Sequence, residues 1–349
     1  MQAQHMAHAM NNQAAREALV WFNAPDTLLN WTFVAIELLI LVGFVLAVIH
    51  AMRYKQAHQS NGAILSLIGF TMYGVFIDIL SYYTVDNFWH GEFTVMFVYN
   101  RLPLYIILFY PAFMYPCMML IRRLALPPLK EAVCTGFLSG IFYMIFDNIG
   151  AQLQWWTWDT TDPTTWPYVS NVPLTSYMWF FLFTGAFTWI NRYISWEWPN
   201  KTLSIKLCLA HIIQPVVTVV LGSLMFIPYN LFAKSALPYT LLPWDASLVL
   251  AAIVYAILFS AAGWVLLMNW HKPRLPRDPL LMAFPFMYLV MHACLLVTYA
   301  PNYFVAATPQ EQALLANPFA VLMAIGLASA MLIGLNRQSH CTKKLAQEL

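Results

Sequence analysis

Long apolar runs alternate with short polar connections along most of the chain. Nine such runs can be drawn, over residues 31–52, 62–84, 102–121, 132–154, 172–191, 204–227, 247–268, 280–299 and 314–335. A helix needs about 20 apolar residues to cross a hydrocarbon layer of about 30 Å, and backbone polar groups there must be satisfied internally. The pattern predicts an all-α fold: a polytopic integral membrane helical bundle of about nine transmembrane helices, or eight if one segment is re-entrant. Prolines fall inside several runs, with Pro103, Pro111 and Pro116 in the third, Pro215 in the sixth and Pro285 in the eighth. Each removes a backbone donor and bends its helix, so the third run is not expected to be straight. There is no fixed-period repeat, low-complexity tract or second, soluble domain. The chain divides into a polar N-terminal tail (1–30), a helical membrane domain (31–336) and a basic C-terminal tail (337–349).

Charge placement gives the series a direction. Of 17 Lys and Arg residues, 14 fall in alternate connections and the C-terminal tail, and only Arg16, Arg101 and Lys234 fall on the other side. Basic residues favour the cytoplasmic side, which predicts a multi-pass protein of the cell membrane with its N-terminus outside and its C-terminus cytoplasmic. Only 9% of residues are charged and 61% are hydrophobic, against roughly 25% charged in soluble domains. Nothing points to a nucleic-acid partner, and the expected partners are membrane lipid and a lipophilic small-molecule substrate, with the oligomeric state open. The five cysteines show no paired spacing, so neither a disulfide framework nor a zinc site is indicated. The first residues lack the basic-then-apolar order of a cleaved signal peptide, and His5 and His8 there read as solvated rather than as metal ligands.

Placing the acids on this topology brings several to one depth. Glu37, Asp78 and Asp147 each lie a few residues inside the outer end of their runs, and Arg101 opens the third run from the same side. At 1.5 Å per residue, all four fit within about two turns of the outer interface. Acids inside membrane helices normally face protein or a wet cavity. Asp78, Ser81 and Tyr82 share one helical face, as do Asn148 and Gln152. One reading is that Arg101 pairs with one acid and the others clamp helices together. The other starts from one Arg being too few for three acids. Burial favours a neutral carboxyl, so an acid without a cation is a candidate proton donor. The outer connections add Trp155, Trp156, Trp158, Asp159 and Tyr168; these rings fit an interfacial aromatic belt or the mouth of a pocket.

No cofactor or metal follows from the remaining polar residues. His211 and His292 differ in depth by about 8 Å at 1.5 Å per residue, which is unsuited to two axial ligands of one haem. His211 fits a helix contact, and His292 is placed to reach the outer site. No Lys lies in the middle of an apolar run, as a retinal Schiff base would require. Phosphate-binding, dinucleotide-binding, zinc-protease and serine-hydrolase motifs are absent.

From Asp147 through Trp156-Thr157-Trp158 and Tyr168 to Val172-Pro173-Leu174, the chain resembles the integral-membrane carotenoid-biosynthesis family that includes the carotenoid hydratases. Upstream, Asp78 and Pro103-Leu104 match that family's membrane Glu and Pro-Leu helix start. The likeness covers roughly residues 70–185. Asn171 stands where the family has Gly, Ser176-Tyr177 replaces Asn-Phe, and Trp179-Phe180 is displaced from the Gly-Trp pair. The upstream acid is Asp rather than Glu, and the Gly-rich loop that follows it in the family is missing. The resemblance implies an enzyme of isoprenoid or terpenoid lipids, a hydratase or a cyclase, that protonates a carbon–carbon double bond. Under it Asp78 and Asp147 are catalytic acid and base and Asp159 an auxiliary. Trp156 and Trp158 shape the pocket, with Glu37, Tyr82, Arg101, Asn148, Gln152, Tyr168 and His292 as the remaining substrate-binding candidates. A proton-coupled transporter of a small or lipophilic solute would use the same acids as a relay, and a noncatalytic subunit of a membrane complex is the third reading.

Overall fold

The computed structural model describes residues 17–162, 165, 168–197, 205–226, 244–270 and 277–337. Among the described residues, nine long helices stand in the order of the apolar runs: α1 (Thr32–His58), α2 (Gly62–Thr84), α3 (Leu104–Arg122), α4 (Pro128–Gln152), α5 (Leu174–Asn191), α6 (Ile205–Met225), α7 (Trp244–Leu267), α8 (Leu280–Val305) and α9 (Pro318–Leu335). Local chemistry sets many of their ends. Pro103 and Pro173 precede α3 and α5 in extended conformation, and Pro128 and Pro318 occupy the first turn of α4 and α9, where a missing N–H costs nothing. The Asn317 side chain caps α9 by accepting from the N–H of Phe319 and Ala320 at 3.0 and 3.3 Å.

Seven of the helices are long and apolar enough to cross a membrane. Two differ from the sequence expectation for identifiable reasons. α5 has only 18 residues, diluted by Thr, Ser, Tyr, Trp and Asn, and the apolar stretch Ala252–Leu267 of α7 is shorter than the rest. α3 and α4 form the centre: 83% of the most apolar window of each is buried, against 35–44% in α1, α6, α8 and α9. The outer helices display Leu38, Val220, Val297, Met323 and Ile333 at 56% exposure or more. Exposed apolar faces of that extent suit a bilayer rather than water.

The fold is not purely helical, because the connections at one end of the bundle pair as short strands. These are β1 (Val20–Phe22), β2 (Phe88–His90), β3 (Val95–Phe97), β4 (Leu102–Pro103), β5 (Trp156–Trp158), β6 (Tyr168–Val169) and β7 (Val172–Pro173). They make one three-stranded sheet, β1-β3-β4, and the two-stranded ribbons β2-β5 and β6-β7, all antiparallel. Aromatic and β-branched residues fill them, which is the composition strands favour. The supposed N-terminal tail thus contributes a strand at 20–22. Its residues 1–16, with His5 and His8, and residues 338–349 of the C-terminal tail lie outside the described residues. The same end concentrates strained backbone: Asp86, Val98, Tyr99, Asn100, Gln154 and Ser170 all have φ between 48° and 62°. Such conformations cost side-chain-bearing residues energy and persist where their surroundings fix them.

Candidate active site

Two buried acids face the interior at the strand-bearing end. Asp78 on α2 is 6% exposed and Asp147 on α4 is 0% exposed. Each has a glycine near one turn away on the same helical face. A Cβ at Gly74 would lie 2.3 Å from the Tyr110 ring, so only glycine lets that ring lie across α2, beside the Asp78 carboxyl. A Cβ at Gly150 would lie 2.2 Å from the Trp156 ring, which packs onto α4 and stands with Tyr143 and Ser176 around Asp147. Tyr110 is near enough to influence Asp78, and Ser176, Tyr143 and Trp156 are near enough to influence Asp147, but Asp78 Oδ2 and both Asp147 oxygens lack a hydrogen bond of good geometry. Leaving a buried polar atom unsatisfied costs about 1–3 kcal/mol, so such atoms need an explanation.

A cavity of about 300 Å³ supplies one. Its polar wall carries Asp78, Ser81, His90, Tyr110, Tyr143, Trp156, Trp158 and Ser176; its apolar wall carries Phe109, Phe146, Trp179, Phe180, Phe183 and Phe226. The volume is at the lower end of the range of about 300–1,000 Å³ for small-molecule sites. Asp147 does not line it directly, but Tyr143, Trp156 and Ser176 do. Stacking fixes the aromatic wall: Tyr143 on Phe180 at 3.5 Å between ring centres, and Phe109 on Phe146 at 4.6 Å. The cavity reaches Val85, 46% exposed, and Ser223, which is exposed on α6 beside Val220 and Leu224. Among the described residues these are the exposed parts of its lining, near the last turn of α6 and at the end of α2.

His90 is a site residue that the sequence reading missed. The β2-β5 ribbon sets it opposite Trp156 and so aims it into the cavity. Part of its ring remains open to that space, yet neither nitrogen has a hydrogen-bond partner, and the indole nitrogens of Trp156 and Trp158 are likewise unpartnered. Burial, then the nearby Arg101 charge, push His90 down to about 3 against a partial opposing effect of the Trp155 main chain. At neutral pH His90 is consequently an uncharged imidazole, with one donor and one acceptor. The signal available in sequence was a histidine inside the aromatic run Phe88-Trp89-His90, but its target is set by pairing with residues nearly seventy positions away.

The remaining candidates are placed elsewhere, with these physical reasons. Glu37 accepts from Thr94 N–H at 3.1 Å and Thr94 Oγ1 at 2.9 Å, tying α1 to the loop before β3, and it does not line the cavity. Arg101 pairs with Asp86 at 2.6 Å, not with a helix acid, and its guanidinium lies 5.1 Å from the Tyr82 ring centre. Tyr82 is buried beneath it and does not line the cavity. Asn148 donates to Tyr177 Oη and to the Met144 carbonyl, both at 2.7 Å. Gln152 donates to the Tyr299 carbonyl at 3.4 Å and accepts from Ala316 N–H at 3.1 Å, so this pair clamps α4 to its neighbours. His292 donates through Nδ1 to the Tyr288 carbonyl at 2.8 Å, and packs 6.1 Å from Phe146, outside the cavity lining. Tyr168 bonds Thr165 Oγ1 at 3.4 Å and is also outside it.

Asp159 is corrected more strongly. It sits one residue past β5, accepts from Thr161 N–H and Oγ1 at 2.8 and 2.6 Å, and those bonds hold its carboxyl below the usual range. Its carboxyl is at the surface and does not line the cavity, so its placement gives no direct support to an auxiliary role at Asp78. None of the three helix acids is in an ion pair among the described residues, but Glu37 is held by Thr94 whereas Asp78 and Asp147 keep unpartnered oxygens; Tyr105 lies within electrostatic range of all three.

A family model matches residues 23–307, and the chain belongs to that family, described as a domain of unknown function, DUF7802. The match includes every residue that lines the cavity and ends at the C-terminus of α8. No curated protein and no solved structure matches the chain.

Proposed function

We propose that the chain is an integral membrane enzyme that binds an apolar, isoprenoid-like molecule in this cavity and protonates one of its double bonds from Asp78. The observation that carries the reading is a buried carboxyl, lacking both a cation and a full set of hydrogen bonds, on the wall of an aromatic cavity whose lining reaches exposed residues of α6 beside Val220 and Leu224. A carboxyl on such a wall, with no cation beside it, is placed to act as a general acid. Proton transfer breaks the carboxyl O–H and forms a C–H bond, leaving a carboxylate and a carbocation. Phe109 and Phe180 each stack against two other rings, so the negative π surface that stabilises such a cation is assigned to Trp156 and Trp158. In hydration, water adds to the cation and its spare proton returns to the Asp78 carboxylate; in cyclisation, a second double bond attacks and the proton then lost from carbon returns to that carboxylate. Asp147, behind Tyr143 and Trp156, is assigned to the proton's return path. The likeness of residues 70–185 to the carotenoid-biosynthesis family supports an isoprenoid substrate, although about 300 Å³ admits one end of a long polyene rather than the whole molecule.

The same reading takes all nine helices as spans, with the strand-bearing end outside and the basic end in the cytoplasm of a cell-membrane protein. A proton-coupled transporter is the second reading, favoured by the prolines within α3 and α6, which allow bending. Isoprenoid profiling of a deletion strain against its complemented parent tests the proposal. It expects an apolar precursor to accumulate and its hydrated or cyclised partner to vanish. Unchanged lipids, together with solute uptake by proteoliposomes, would instead establish transport.

A further inference from the structure

We infer that the cavity's ligand carries one neutral hydrogen-bonding head, a hydroxyl or a carbonyl, which is seated among Asp78, His90, Trp156 and Trp158 while its chain runs toward Trp179, Phe183 and Phe226. This rests on the reading of the cavity as a ligand site and narrows the class of ligand. Among the cavity-lining residues, Asp78 Oδ2, both His90 nitrogens and the two indole nitrogens lack a hydrogen bond of good geometry, with Trp156 also near Asp147 and His90 near the Trp155 main chain. His90 lies 6.4 Å from the Trp156 ring and 6.3 Å from the Tyr105 ring, which itself senses Asp78. At the other side Phe226 packs 5.8 Å from Phe183 and 6.3 Å from Trp179, a wholly aromatic wall.

The inventory of donors and acceptors selects the head. Indole nitrogens only donate, so an ammonium, which also only donates, leaves both unsatisfied. An anion would accept from them but would face Asp78, and among the described residues the cavity wall carries no Lys or Arg. Arg101, the cation nearby, is engaged with Asp86. A hydrocarbon satisfies none of these atoms. A hydroxyl accepts from the indoles and donates to Asp78 or His90; a carbonyl accepts from the indoles and from the imidazole N–H. A hydroxyl held there also sits beside the acid that would add or remove water.

The test is saturable binding of tritiated farnesol to the full-length protein in nanodiscs, corrected for empty nanodiscs. Competitors are the matched hydrocarbon farnesene, farnesoic acid and farnesylamine. The hydrocarbon, the acid and the amine are each expected to compete at least 10-fold more weakly than unlabelled farnesol. His90→Phe should lower the alcohol to the hydrocarbon's level while leaving farnesene unchanged, and Trp158→Phe, a milder change, should lose part of the same preference. Equal competition by farnesene, or tighter binding of the acid or the amine, overturns the head-group seat. If that happens while Asp78→Asn still abolishes conversion in cells, the enzyme reading survives alone. If the alcohol preference holds but Asp78→Asn converts normally, the seat survives and the acid chemistry falls. No saturable binding of any probe rejects both.

Discussion

The two ends of the bundle treat buried charge in opposite ways. At the basic end, Glu131 is 2% exposed, and Arg122 and Arg192 donate to its two oxygens at 3.2 and 2.9 Å. The Arg122 guanidinium also lies 3.6 Å from the Trp196 ring centre. His50 there meets Tyr115 Oη at 2.6 Å and Asp278 at 3.4 Å. Ser66 accepts from Asn191 and Trp196, and Ser195 links Asn191 to His211. At the strand-bearing end Asp78, Asp147, His90 and two indoles are left unsatisfied around a cavity. A buried network with its partners in place holds helices in register. Unsatisfied groups lower stability and are kept where they contact something other than protein. For ionisable groups the contrast separates scaffold from site, although Thr188 Oγ1, Gln214 Oε1 and Asn336 Oδ1 toward the basic end also lack partners.

The sharpest way to break the contrast is to remove one acid from each end. Asp78→Asn is expected to lose turnover by about 10²–10⁴-fold, the usual worth of a general acid, while stability stays within about 1 kcal/mol because no ion pair is broken. A combined activity and thermal-unfolding assay in detergent reads both. Glu131→Gln should do the reverse, lowering stability by about 3 kcal/mol, the lower end for breaking a buried pair, since its arginines are 15% and 24% exposed and partly rehydrate. Probe binding by the folded fraction should be unchanged. Thermal unfolding of both variants beside wild type would show whether the ends really differ in this sense.

The next effect is on pH dependence. His90 titrates near 3 in the folded chain and near 6.5 when unfolded, so the unfolded state binds more protons between those values. Stability from keeping His90 neutral is complete above about 6.5 and is lost as pH falls toward about 3. His90→Gln should flatten that part of the stability–pH curve, as measured by unfolding midpoints across the window; an unchanged curve would contradict its burial as a neutral ring. The smallest effect is expected at Asp159. Asp159→Asn removes an exposed carboxyl bonded only to its own turn, and conversion should stay within about twofold.

Much of the scaffold was legible because a helical run announces itself through 20 or so consecutive apolar residues, and the long helices follow the runs to within several residues. Asp78, Asp147, Trp156 and Trp158 were legible for related reasons: acids in apolar helices are costly, and the indoles are dense beyond what a belt requires. His90 was not, because a strand pair between distant connections aims it, and nothing within a few residues of it specifies that pairing. Asp159 misled through proximity to Trp158; one step past β5 the chain turns outward. Glu37 has the right depth but meets Thr94 from a loop, so depth alone did not distinguish a site acid from a structural one. Arg101 was expected at the helix acids, yet the positive-φ residue Asp86, just beyond α2, presents a nearer carboxylate.

The most direct measurement is to run the reaction of the purified protein in D₂O and examine the product by mass spectrometry. Transfer of the Asp78 proton to carbon predicts one new C–D bond per turnover in wild type and no product above background in Asp78→Asn. Product formed without deuterium on carbon, or formed equally by the variant, would contradict the assignment of Asp78 as the acid.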